Sequence, residues 1–142
     1  MRALVLLAVL ALAPAAAARA EGSPERVPPV TNAATKKECG DCHMAFQPRL
    51  LPAESWRRVM SGLKDHFGED ASLDAKLAAE IEAYLISHAG RGDGALTRIS
   101  DQSWFVRKHR RISEAEWTRP AVKSKANCAA CHTEAERGVY ED

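Results

Sequence analysis

Large aromatic side chains are scarce in this sequence, making up 6% of its 142 positions, and no stretch alternates apolar and polar residues as a half-buried strand would. A chain this short of big rings buries only a modest core by itself. Beyond the first twenty residues there is no apolar run of membrane-spanning length. Neither sign of charge prevails: 20 Lys and Arg face 19 Asp and Glu, a formal +1, which leaves out the basic footprint of a nucleic-acid binder. Cysteine occurs only four times, at 39, 42, 128 and 131, and after residue 20 the only methionines are Met44 and Met60.

The chain opens with a leader. Arg2 supplies a positive start, Ala3 to Ala13 an apolar core rich in Leu, Val and Ala, and Ala18-Arg19-Ala20 a cleavage site, the pattern of a secretion signal. Residues 1–20 are therefore set aside as a signal peptide whose apolar run is short for a membrane span, an uncleaved anchor being the alternative, and residues 21–142 are expected to form the mature domain without stable membrane insertion. Losing Arg2 and Arg19 takes the formal charge from +1 to −1.

The four cysteines fall into two short motifs, Cys39-Gly40-Asp41-Cys42-His43 and Cys128-Ala129-Ala130-Cys131-His132. Each reads C-x-x-C-H, the signature for attaching c-type haem. Two thiols at this spacing can each add to one vinyl group of a porphyrin, and the next histidine then reaches the iron as proximal ligand. Structural zinc would want both pairs in one small module, yet they lie near opposite ends of the mature chain. A thioredoxin-like redox pair needs a βαβ setting, and disulfides closing loops this small would staple almost nothing. Two covalent haem c groups account for every cysteine. Because such haem is attached outside the energy-transducing membrane, a bacterial periplasm is the expected compartment. Two porphyrins would also supply the apolar faces that the sequence lacks.

Residues 21–35, rich in Pro and polar groups, read as an extended arm. A first haem helix should begin near Lys36 and stop before Pro48. Trp56, Val59, Met60, Leu63 and Phe67 recur at helical spacing and predict a helix over about 52–66, with Pro52 in its first turn and Gly68 as its stop. Ser72 is the expected cap of the next helix, whose apolar face is Leu73, Leu77, Ile81, Tyr84 and Leu85 and which ends near His88. Residues 90–102 carry three glycines and read as a linker between two haem-bearing lobes, 36–89 and 103–142. Ser103 should cap a short helix bearing Trp104, Phe105, His109 and Ile112. Ser113 to Glu116 form a capping box, and a last helix from Ser124 should carry the second motif and end at Gly138. The fold class is all-α: a small helical c-type cytochrome with two haem-binding lobes and long loops.

The distal ligands decide the chemistry. His43 and His132 are proximal by motif, which leaves His66, His88 and His109 for two remaining positions. Met44 adjoins its own proximal histidine and cannot cross to the opposite face. Met60 sits on an apolar stripe, where methionine is usually core. His66 lies one turn past Leu63 and suits the first haem. His109 lies one turn past Phe105 and suits the second. His88 is the alternative distal ligand for either. Irons closed by two histidines would be low-spin, of lower potential than His–Met haems, and fitted to electron transfer, with no catalytic residue. The run Arg107-Lys108-His109-Arg110-Arg111 is read as a solvated face, a propionate partner, or a surface that steers an acidic redox protein.

Taken together, Cys39 to Phe46, Pro48 to Leu51, Ser55-Trp56, His66-Phe67-Gly68, Trp104-Phe105, His109, Trp117, Asn127 to His132 and Ala135 to Gly138 resemble the small periplasmic dihaem cytochromes c across nearly all of the mature chain. The resemblance implies a mostly helical monomer with two bis-histidine haems and an electron-transfer role. It also implies a redox partner, a small high-spin oxygen-binding monohaem cytochrome (the sphaeroides haem protein), with a membrane cytochrome b as electron source. By position, Cys39, Cys42 and His43 hold one haem and Cys128, Cys131 and His132 the other, with His66 and His109 at positions that supply distal ligands. It does not fix which distal histidine serves which haem. The rival reading is a small haem enzyme, a peroxidase or nitrogen-oxide reductase, with one open iron position.

Overall fold

A computed structural model describes residues 25–140, so the leader and its cleavage site lie outside the described residues. Five α-helices occur among them: α1 (Ala33–Gly40), α2 (Ala53–Ser61), α3 (Ala75–Ser87), α4 (Ser103–Lys108) and α5 (Glu114–Trp117). Single 3₁₀ turns at Pro48–Leu50, Leu63–Asp65, Ile99–Asp101, Cys128–Ala130 and Ala135–Arg137 carry much of the chain between them. The protein is helical with long loops, as its sequence leads one to expect.

The core forms where α2 and α3 pack together. Leu51, Trp56, Met60, Ile81 and Leu85 are its buried members, and Phe46, Leu63, Leu77 and Tyr84 close around them. Trp56 also donates its indole N–H to the Pro48 carbonyl at 2.7 Å, so the largest core side chain pins the segment that follows the first haem motif. Met60 belongs to this cluster, as its place on the apolar stripe implies.

Several boundaries differ from those read in the sequence, each for a local reason. α1 begins at residue 33 because the Asn32 side chain accepts the Thr35 N–H at 2.7 Å, a strong N-cap hidden inside the expected arm. α2 stops at Ser61, where Gly62 caps it, and a 3₁₀ turn covers Leu63–Asp65. Glycine disfavours helix continuation, so the stop falls six residues before Gly68. Asp74, and not Ser72, caps α3 by accepting from Lys76 and Leu77 N–H; the Asp70 carboxylate holds the Ser72 N–H instead at 2.9 Å. Gln102 stands at the N-cap of α4, leaving Ser103 as its first residue. Ser113 does cap α5, accepting the Glu116 N–H, while the Glu116 carboxylate pairs with Arg119 at 2.9 Å rather than closing a reciprocal box.

The helix expected from Ser124 does not form. Ser124 Oγ accepts the Ala126 N–H at 3.3 Å and the Asn127 amide donates to the Val122 carbonyl at 3.0 Å. Such local side-chain bonds compete with helix, and the polar run 123–127 offers no apolar stripe to repay one. The second motif therefore sits on a 3₁₀ turn.

A two-residue antiparallel ladder, β1 (Glu25–Arg26) on β2 (Val139–Tyr140), joins the ends of the described chain in register Glu25↔Tyr140 and Arg26↔Val139. Two residues are too few to print an alternating pattern. Gly138 makes the approach possible. It has φ +76, and a Cβ there would collide with the Val27 carbonyl.

The glycine-rich segment after α3 is docked against α2. The Ser55 hydroxyl donates to the Asp93 and Leu96 carbonyls at 3.2 and 2.6 Å. Gln102, fully buried, accepts the Asp93 N–H at 2.9 Å and donates to the Asp93 carbonyl at 3.0 Å. Buried polar side chains thus fold this loop onto the helix where sequence composition alone reads as a spacer.

Candidate functional site

Each C-x-x-C-H motif has its first cysteine in a short helical element, near the end of α1 in the first and at the start of a 3₁₀ turn in the second. α1 carries Cys39 and stops at Gly40, so Cys42 and His43 follow in the turn beyond it. In the second motif the 3₁₀ turn holds Cys128 to Ala130, and Cys131 closes it. None of the four cysteines is paired in a disulfide. Burial raises the Cys39 thiol pKa above its ordinary value, helped by the charge of Glu38. Burial does the same for Cys128. Burial thus favours the S–H form of both, the form whose sulfur and hydrogen add across a vinyl double bond. Among the described residues no three His, Cys, Asp or Glu side chains converge as a bare metal ion would require.

The histidines gather in pairs. His43 and His66 have ring centres 6.3 Å apart with planes at 28°, and His109 and His132 have ring centres 6.2 Å apart with planes at 85°. A metal–imidazole bond is about 2 Å, and the centre of a five-membered ring lies roughly 1.1 Å behind its coordinating nitrogen, so two rings on opposite sides of one metal have centres about 6.2 Å apart. The spacing of both pairs matches that requirement. His66 thus lies beside the first motif and His109 beside the second.

His43 donates from Nδ1 to the Met44 carbonyl at 2.7 Å, and His109 donates from Nδ1 to the Phe105 carbonyl at 2.9 Å. A carbonyl can only accept, so Nδ1 carries the proton and Nε2 is left with its lone pair, the usual way a ligand histidine is oriented. His43 is stacked on Phe46 at 4.8 Å. His109 lies on Phe105 at 4.0 Å and against Trp117 at 5.6 Å.

His66 is presented by a tight turn. Its N–H donates to the Glu69 carbonyl at 2.7 Å, and Phe67 and Gly68 both have positive φ, +58° and +105°. Burial, then the neighbouring charges of His43 and Arg98, push the His66 pKa below 6.5, which favours the neutral, metal-binding form. His88 is placed differently. It caps α3, is exposed, bonds through Nδ1 to the Tyr84 carbonyl at 2.9 Å and packs on the Tyr84 ring at 4.6 Å. It lines an open groove with Pro28, Pro29 and Arg49 and faces no second imidazole.

Three residues around the sites carry no signal in the sequence. Arg98 lies over the Phe67 ring. Tyr140 meets His132 edge-on at 5.4 Å, and burial followed by the Cys128 thiol pushes its phenol far above the ordinary range, so it is a hydrogen-bond donor. Gln47 accepts from Tyr140. All three depend on contacts across long separations that no local pattern reveals. Gly68, expected as a helix stop, instead completes the turn after His66.

Two cysteine-tethered sites, each flanked by an imidazole pair and bedded on short helices, define a small helical c-type cytochrome with two haem-binding sites. A family model described as dihaem cytochrome c matches residues 35–140. A crystal structure of DHC purified from Rhodobacter sphaeroides is 47% identical, with a TM-score of 0.73, covering 79% of this chain and 99% of that one. A diheme cytochrome c from the same organism is 43% identical, with a TM-score of 0.72, and covers 80% and 100%. A diheme cytochrome type c from Shewanella baltica OS155 is 41% identical, with a TM-score of 0.71, and covers 78% and 87%. A search of curated protein sequences returned no match. The chain belongs to the dihaem cytochrome c family and carries two covalently bound haem c groups on its four cysteines.

Proposed function

We propose that the protein is a periplasmic electron carrier in which His43 and His66 close one haem iron and His109 and His132 close the other. The observation that carries this reading is the spacing of the two ring pairs, 6.3 and 6.2 Å. When bound, each haem supplies a one-electron iron couple. The rest is the work of the chain. Cys39 and Cys42, and Cys128 and Cys131, fix each porphyrin by thioethers. The carbonyls of Met44 and Phe105 hold His43 and His109 in the tautomer that offers Nε2. His43 with His66, and His109 with His132, would occupy both axial positions of their irons and leave none for oxygen or peroxide, and the same side chains would serve both oxidation states. This supports a carrier over a peroxidase or nitrogen-oxide reductase. The place of Met60 in the core favours histidine over methionine, and hence low potentials.

Arg107, Arg110 and Arg111 are exposed beside His109 and would steer an acidic redox protein. In keeping with the family likeness, we take that acceptor to be a high-spin oxygen-binding monohaem cytochrome, with a membrane cytochrome b as source. We place one haem module in residues 36–89 and the other in 103–142. Among the described residues no helix is long and apolar enough to cross a membrane; the N-terminal leader would direct export to the periplasm, where thioether attachment takes place, and the family likeness points to a monomer.

The test is carbon monoxide added to the reduced holoprotein, with a near-infrared spectrum of the oxidised form. No Soret shift at stoichiometric gas is expected. A stoichiometric shift in either haem would replace the carrier by an enzyme with an open iron, and a methionine–iron charge-transfer band would overturn the all-histidine ligation.

A further inference from the structure

Gln47 is fully buried although it is polar, and its side-chain hydrogen bonds all reach across the molecule. Its amide donates to the Ala135 carbonyl at 2.7 Å and to the Glu136 carbonyl at 3.3 Å, while its Oε1 accepts from the Tyr140 hydroxyl at 2.6 Å. The sequence separations are 88, 89 and 93 residues. Gln47 stands four positions after His43 and next to Phe46, which is stacked on the His43 ring. At the other end, the Tyr140 ring rests edge-on against His132. Ala135 belongs to the same terminal segment and donates its N–H to the His132 carbonyl at 3.0 Å. One unbroken run of contacts therefore joins the two proximal histidines: His43 ring, Phe46 ring, the Phe46–Gln47 peptide, Gln47 amide, Tyr140 hydroxyl, Tyr140 ring, His132 ring.

Gln47 is the fully buried partner and Tyr140 the half-buried one, so losing the hydroxyl strands the Gln47 carbonyl oxygen in the interior. The geometry of their hydrogen bond fixes where the Tyr140 ring sits, and that ring limits how His132 can rotate about its metal bond. We propose that Gln47 and Tyr140 are positioning residues that set the ring plane of His132, so that the ligand geometry and potential of the second haem depend on a hydrogen bond anchored beside the first. The inference rests on His132 being a ligand of the second haem, as set out above.

Tyr140→Phe keeps the ring and removes only the hydroxyl, so the holoprotein should assemble with both haems. Electron paramagnetic resonance of the oxidised protein and a potentiometric titration then read the two haems separately. The expected result is a moved low-spin signal and a shifted midpoint for the second haem, with the first unchanged. Gln47→Leu should move the same second-haem signal although Gln47 lies in the first-haem segment. If Tyr140→Phe lowers the melting temperature while both signals and both midpoints stay as in the wild type, the pair is a structural tie only and the proposal fails. Failure of the ligand assignment is distinguished in the wild type itself, where carbon monoxide would bind the second haem before any substitution is made.

Discussion

The guanidinium of Arg98 lies 4.1 Å from the centre of the Phe67 ring, on the turn that presents His66. Arg98 comes from the 3₁₀-linked loop after α3, so a cation from one loop braces the turn that presents His66. Its charge also contributes to holding His66 neutral, after burial and His43.

Replacing Arg98 by Gln should therefore lower the midpoint potential of the first haem, because removing a nearby positive charge favours the oxidised iron. The lost cation–π contact should cost about 0.5–1 kcal/mol, since both partners are exposed. Potentiometric titration and thermal melting check the two effects. An unchanged first-haem midpoint would mean that the Arg98 charge does not reach the iron.

Gly68 is in the left-handed half of backbone space with φ +105°, directly after Phe67 at +58°. Phe67 already bears the strain of a non-glycine residue there, and Gly68→Ala would add a second. The expected cost is about 1 kcal/mol or more, concentrated on the turn that holds His66. Carbon monoxide binding to the reduced variant should rise at the first haem and stay absent at the second. Equal gains at both haems would show that the turn does not act locally.

The ring planes of the two histidine pairs differ, 28° for His43 and His66 and 85° for His109 and His132. Near-parallel imidazoles donate into one of the two iron dπ orbitals and split them, giving a rhombic low-spin spectrum. Near-perpendicular imidazoles leave the two orbitals close in energy, giving a strongly anisotropic signal with a large maximal g value. The oxidised holoprotein should display one signal of each kind in equal amounts. Two identical rhombic signals would contradict the perpendicular second pair.

The sequence was most legible where chemistry is local. C-x-x-C-H is a covalent requirement and needs no fold to be read. Trp56, Met60, Ile81 and Leu85 could be assigned to the core because helical periodicity puts them on one face. His66 and His109 were selected as distal candidates by their place one turn past an apolar residue. The helix ends were less legible. Asn32, Gly62 and Asp74 each won over a plausible neighbour, since caps depend on which side chain actually reaches the free N–H groups. The last helix was lost because hydrogen bonds within the stretch from Val122 to Asn127 compete with it.

By itself the sequence determined that two porphyrins are tethered at fixed points and which histidines are available to face them, because thioether chemistry and ligand identity are properties of residues. Only the tertiary structure decided that His66 sits 6.3 Å from His43 and His109 sits 6.2 Å from His132. It alone turned His88 toward Tyr84, and it alone bound Gln47 to Tyr140. Those relations are made by packing and by buried hydrogen bonds between residues far apart in the chain, and no local pattern encodes a distance across a fold.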